Sequence, residues 1–274
     1  MNTLELDDIA VSYGGLRALD GISFAVPERC IFSIIGPNGA GKTTLFNVLT
    51  GLAPHHEGRV RFLGQDVTGL APNRLAARGL ARTFQNLQIF PRMSVLDNVR
   101  VGRHLKDRPG VLRGILRPPG TGAAESASRA AAMAELDRVG LADKADVSAG
   151  ALAYGMMKRL EIARALAGGP KLLLLDEPAA GCNPTETADL HALILALARD
   201  GLGIVLVEHD MRLVMSVSDR VLVMVEGRVL IVDRPEVVRN NRRVIASYLG
   251  EIDADIPDTD TPDPGARQQG VSSC

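Results

Sequence analysis

The chain has 274 residues, 46% of them hydrophobic and 23% charged, enough apolar material for one large core or two modest ones. A net charge of -1 and 3% aromatics, with no Trp, leave neither the basic footprint nor the stacking platforms of a nucleic-acid binder. The three cysteines, Cys30, Cys182 and Cys274, share no metal-like or disulfide-like spacing and suit a reducing cytosol.

Taken in chain order, the N-terminus MNTLELDDIA is acidic where a secretory leader needs a basic start. No apolar run approaches the roughly 20 residues that a spanning helix needs, so a soluble chain is expected, with any membrane role coming through partners. Ile31–Ile35 reads as a buried strand, and the helix after it places Leu45, Val48, Leu49 and Leu52 on one face. The alternating stretch GRVRFLG, before Val67, reads as antiparallel hairpin material. Residues from about Leu87 to Leu152 offer no buried strand. They hold a loop-rich piece, RPGVLRGILRPPGTG, and an Ala-rich helix over Glu125–Val139 closed by Gly140.

Beyond them come a helix over Met157–Ala167 and strands over Lys171–Leu175, Gly203–Val207 and Arg220–Val225. Consecutive apolar positions in these strands suit a parallel sheet covered on both faces. The helix between the first two has Asn183 as N-cap, Pro184 at its first position and Glu186 at the capping-box position. It buries Leu190, Leu193, Ile194 and Leu197 and closes at Gly201. From Ile252 the chain is polar and Pro-rich, the composition of a disordered tail. The fold class is α/β: a mostly parallel core with an N-terminal antiparallel β part and an inserted helical part.

Chemistry concentrates at strand ends. Gly36–Thr43, GPNGAGKT, satisfies G-x-x-x-x-G-K-[ST] between a strand and an amphipathic helix. Its glycines let backbone N–H groups converge on β- and γ-phosphates at a helix N-terminus, Lys42 adds a point charge, and the Thr43 hydroxyl is placed to ligate Mg²⁺. Asp176 and Glu177 close the strand KLLLLDE, at the carboxyl edge where α/β folds put ligands. Asp176 would hold the Mg²⁺ shell and Glu177 would polarise the attacking water. The alternative is two acids that merely cap a buried strand. His209, after GIVLV, is a third candidate, although a lone histidine at a strand end says little. Gln85 in RTFQN is weaker still in isolation.

Together these residues resemble the nucleotide-binding subunit of ABC transporters, from about Leu4 to Glu251. The resemblance implies a P-loop NTPase core over residues 1–86 and 153–251, a helical insertion over 87–152 and a tail over 252–274. It implies Tyr13, in VSYGG, as the aromatic that stacks on adenine, and Gly36, Asn38, Gly39, Gly41, Lys42, Thr43 and Thr44 as the Walker A cradle. Gln85 becomes the Q-loop glutamine, a further Mg²⁺ contact beside Thr43 and Asp176. Asp176 and Glu177 become Walker B, His209 the switch histidine, and Ala180–Pro184 the D-loop, with Cys182 where an aliphatic residue is usual. RTFQNLQIFPRMSVLDNV, LAYG, LEIARAL and the ending YLGE are similar to the ATPase of branched-chain amino-acid importers.

That likeness implies ATP and Mg²⁺, a second ATPase subunit (the same or a paralogue), two transmembrane permeases and, indirectly, a periplasmic binding protein. The place of action is the cytoplasmic face of the inner membrane, and no nucleic acid is involved. Asn86–Val99 is expected to dock the permease, with Leu87, Ile89, Phe90 and Met93 as apolar anchors. Leu152–Met156, LAYGM, corresponds to the signature loop, whose Ala153 and Gly155 face the partner's nucleotide, with Lys158 and Arg159 adding positive charge nearby. Met156 departs from the usual Gln, and with Met157 it either reaches nucleotide or packs at the helix start. Competing readings are a weakly hydrolysing regulatory subunit, an importer of urea or short amides, and a soluble ABC ATPase of translation or DNA repair. The last class uses paired cassettes or a long coiled coil, and neither is present in the sequence.

Overall fold

The structure, a computed structural model, describes residues 1–53, 57–104, 106–107 and 121–249. In chain order its elements begin with β1 (Asn2–Tyr13), β2 (Leu16–Pro27), β3 (Ile31–Ile35), α1 (Lys42–Leu49), β4 (Glu57–Phe62) and β5 (Gln65–Asp66). Then come α2 (Pro72–Arg78), β6 (Leu80–Arg82), α3 (Val95–Gly102), α4 (Thr121–Arg138), α5 (Tyr154–Ala167) and β7 (Leu172–Asp176). The last are α6 (Pro184–Arg199), β8 (Gly203–Val207), α7 (Met211–Val217), β9 (Arg220–Val225), β10 (Arg228–Asp233), α8 (Pro235–Asn240) and α9 (Arg242–Leu249). No helix among the described residues is long and apolar enough to cross a membrane.

The chain forms two compact units. Among the described residues, the first holds 1–49, 53, 57–69 and 209–249. Its antiparallel sheet has the order β2-β1-β4-β5. In β2, Ile22, Phe24 and Val26 are buried while Ser23 and Ala25 between them are exposed, the period of two that one-sided burial demands. In the same unit β3 runs parallel to β9, with Ile34 opposite Leu222, and β10 adds to β9 antiparallel. Ile35, Val214, Val221, Val223, Val238 and Val244 close a core beneath these strands and α7–α9.

Among the described residues, the second unit holds 50–52, 70–104, 106–107 and 121–208. Here β7 lies between β6 and β8, parallel to both. All five residues of β7 and of β8 are buried, which is why both read as unbroken apolar runs. Helix α3 packs on α4 and α5.

Several boundaries differ from the sequence-based expectation. Helix α1 stops at Leu49, so Leu52 lies beyond it and is 48% exposed. The strand expected from Lys171 starts at Leu172, because Lys171 is exposed and Asp176 is drawn into the ladder opposite Val207. Helix α4 starts one turn before Glu125 and ends at Arg138. Helix α5 starts at Tyr154, three residues before Met157: Ala153 is its extended N-cap and the Met157 N–H already bonds the Ala153 carbonyl. Of the stretch read as a signature loop, Leu152 and Ala153 are extended and residues 154–156 already lie in the first helical turn. Five strands were not named from the sequence: β1, β2 and β5 of the antiparallel part, and β6 and β10. β6 has only three residues, and β10 is no more than half-buried along most of its length. Most of RPGVLRGILRPPGTG and the tail from Ile252 lie outside the described residues.

Candidate functional site

In the first unit, β3 ends at Ile35 and the chain turns into α1 through Gly36–Gly41. Gly36 has φ 153°, and a Cβ there would stand 2.2 Å from the Met224 carbonyl oxygen, so only glycine fits. Gly39 has φ 83° with open space around it, so its requirement is conformational alone. Lys42 Nζ donates to the Gly36 and Pro37 carbonyls at 2.7 and 3.0 Å, drawing the ammonium over the loop. Asn38, Gly39 and Thr43 are exposed, while Gly41, Lys42 and Thr44 are half-buried. An open loop at a helix N-terminus with a lysine folded across it is an anion cradle.

Tyr248 in α9, which the sequence reading did not single out, meets the same loop. Partial burial pushes its phenol up to about 12, against the lowering effect of the Gly36 N–H directed at it. Tyr13 ends β1 and is 43% exposed, as a stacking surface must be. His209 is exposed immediately before Asp210, which caps α7 by accepting from Arg212 N at 2.9 Å.

In the second unit the two acids at the end of β7 have opposite surroundings. Asp176 is buried, and its carboxylate receives Arg82 Nη2 at 2.7 Å, with 7% and 8% of the two side chains exposed. Arg82 Nη1 also reaches Thr50 Oγ1 at 3.1 Å, and the guanidinium lies 4.9 Å over the Phe84 ring. Glu177 is half-buried and carries φ 48°, a left-handed conformation rare outside glycine and a form of strain that collects at functional sites. Its N–H bonds the Val207 carbonyl, and its Oε2 accepts Gln85 Nε2 at 2.8 Å. Gln85, the weakest candidate by itself, thus touches Glu177. Arg82 escaped notice because it sits in a three-residue strand; the available signal was a charge directly after apolar Leu80 and Ala81.

At the start of α5, Gly155 N donates to Glu186 Oε1 at 3.1 Å, and a Cβ at Gly155 would stand 2.7 Å from Glu186 carbon atoms. Glu186 completes its capping box at the same time, through Asn183 N at 3.0 Å. Ala153 is exposed, and Met156 is 38% exposed at the third helical position, so it faces solvent rather than a core. Lys158, expected to lend positive charge at the helix start, is instead 3% exposed and donates to the Gln85 carbonyl at 3.1 Å. Arg159 pairs with Asp189 at 2.6 Å. Burial, and then Glu186, pushes the Cys182 thiol up, so it is not an activated nucleophile.

The ABC transporter family model matches residues 19–180. The chain belongs to that family. It is 43% identical over 249 residues to the high-affinity branched-chain amino acid transport ATP-binding protein BraF of Pseudomonas aeruginosa, covering 90% of this chain and 98% of that one. Its identity to LivG of Escherichia coli K12, with the same description, is 42% over the same shares. Among solved structures, the ADP conformation of MJ1267, an ATP-binding cassette of an ABC transporter, superposes with a TM-score of 0.79 at 34% identity, over 92% of this chain and all of that one. The fold is therefore the ABC ATPase fold: an N-terminal antiparallel sheet, a mostly parallel sheet and a helical insert. As the ATP-binding subunit of an ABC transporter, the chain works with permease and ATPase partners.

Proposed function

We propose that this chain hydrolyses ATP to drive uptake of branched-chain amino acids through separate permease subunits, at the cytoplasmic face of the inner membrane. The cargo is that named for BraF and LivG, which align over 90% of this chain and 98% of their own length. We read residues 1–251 as one ATPase domain, with 87–152 as the insertion. The observation that carries the hydrolytic reading is the 2.8 Å contact between Gln85 and Glu177.

When bound, MgATP supplies the γ-phosphoryl group to be transferred to water. The backbone N–H groups of Gly39, Gly41, Lys42, Thr43 and Thr44, with the Lys42 ammonium, neutralise phosphate charge, and Tyr13 stacks on the base. Asn38 borders the cradle. Mg²⁺ takes few protein ligands and keeps water and phosphate oxygens, so the Thr43 hydroxyl, the Asp176 carboxylate and the Gln85 amide oxygen are donors of the right kind. Glu177 orients the attacking water and accepts its proton, and His209 is a further donor toward the phosphoryl oxygens. Ala153 and the N-terminal end of α5 would face the nucleotide of a second ATPase subunit, homologous or identical, with Gly155 reaching it only if Glu186 releases its N–H.

Glu177→Gln tests the reading directly. ATP binding should stay near normal and hydrolysis fall at least about 100-fold, the worth of positioned acid–base help. Turnover within threefold of the parent would remove Glu177 from the mechanism. Uptake by the assembled transporter, compared for leucine, isoleucine, valine, urea and short amides, tests the cargo. A weakly hydrolysing subunit is the second reading, favoured by Met156 and by the Gly155 N–H already held by Glu186.

A further inference from the structure

Two charged residues of α5, Lys158 and Glu161, are each only 3% exposed and take no part in the chemistry above. They lie one helical turn apart on one face. Glu161 Oε1 accepts from the backbone N–H of Phe84 and of Gln88, both at 3.4 Å, and Lys158 Nζ donates to the Gln85 carbonyl at 3.1 Å. Three backbone groups around Gln85 are thus gripped by one rigid helix. The exposed Gln85 side chain leaves this clasp and meets Glu177.

We propose that Glu161, seconded by Lys158, is a positioning residue for hydrolysis, holding the backbone about Gln85 so that the glutamine amide stays on Glu177. The inference rests on the roles given above to Gln85 and Glu177. Two buried charges are an expensive choice for this place if stability were the only aim, since a pair of apolar side chains of similar volume would fill it as well or better. Burial does push the Glu161 carboxyl up, opposed by the Phe84 N–H, by Lys158, by the Gln88 N–H and by Arg164. What a leucine would not provide is an acceptor for two loop N–H groups. Glu161 also lines, with Phe84, Phe90, His104 and Arg164, an open cleft of about 800 Å³. An occupant of that cleft touches the group that grips Gln85, which places the cleft two contacts from Glu177.

The test uses steady-state ATPase measurements on the full chain. Glu161→Leu removes the acceptor, Glu161→Gln keeps an oxygen, and Lys158→Met removes the donor. Glu161→Leu and Lys158→Met should each lower kcat by about tenfold to 100-fold, the scale of a misplaced catalytic group, with KM for ATP within twofold. Glu161→Gln should recover most of the rate. In a Gln85→Ala background, Glu161→Leu should cost less than a further factor of two. A multiplicative loss in that background, a change in KM alone, or a Glu161→Leu rate within twofold of the parent would each overturn the inference. If Gln85→Ala and Glu177→Gln turn over like the parent, the catalytic reading itself fails and takes this one with it. If those two are impaired while Glu161→Leu is not, only the positioning role is lost.

Discussion

Arg82→Met is the most telling perturbation of the Asp176 site. The native pair is 2.7 Å long with both side chains more than nine-tenths covered, so removing the guanidinium strands a carboxylate in a low-dielectric setting. Breaking one partner of such a pair costs about 3–5 kcal/mol, and the lost bond to Thr50 adds to it rather than offsetting it. For a chain of this size each kcal/mol moves Tm by about 2–4 °C, so a fall of about 6–20 °C is expected in nucleotide-free thermal unfolding. The double variant Arg82→Met/Asp176→Leu carries neither charge and should recover most of that loss, because well-packed apolar pairs replace buried ion pairs at little cost. Its ATPase should remain lost, since Asp176 is proposed to serve Mg²⁺. A Tm for Arg82→Met within about 2 °C of the parent would show that water or a rearranged neighbour solvates Asp176, and that the arginine does not organise this strand end.

Phe90→Asp should uncouple transport while leaving the chain's own ATPase largely intact. Phe90 is 45% exposed in the cleft, with Arg164 5.7 Å from its ring, whereas Leu87, Ile89 and Met93 are half-buried and serve the fold first; a joint loss of transport and ATPase in vesicles would mark a folding defect instead. Met156→Gln places an amide at an exposed N3 position, where it can reach the partner's nucleotide or bond back to the Ala153 N–H; turnover in the assembled transporter should rise several-fold, since about 1.4 kcal/mol is tenfold in rate. No change in the full complex would mean that backbone N–H groups and the helix dipole suffice. Glu161→Gln should raise Tm at pH 7.5 relative to the parent. A carboxyl raised above its ordinary value of 4.5 favours folding below that value and loses the contribution as pH rises through the raised one, so the advantage should shrink on acidification; an advantage that grows in acid would contradict the assignment of burial as the main cause.

The sequence by itself determined whatever a short window can encode. GPNGAGKT needs only its own glycines and lysine to make a cradle, and the capping box at Asn183 and Glu186 formed as expected because its partners are three residues apart. The apolar runs at Gly203–Val207 and Arg220–Val225 matched their strands residue for residue, since burial on both faces leaves no other composition. Likeness to the family, carried by motifs at fixed spacing, is what puts Tyr13 and His209 forward as proposed site residues. Tertiary structure alone decided which side chains meet. Arg82 and Asp176 are 94 residues apart, Gln85 and Glu177 92, and Gly155 and Glu186 31, and no local period announces such pairs. The same holds for Lys158 and Glu161, which on a helical wheel look like solvated charges. Whether a charge is solvated or spent on a distant backbone depends on what the chain folds over it, and that is settled by the packing of whole elements, in this case α5 against residues 84–88.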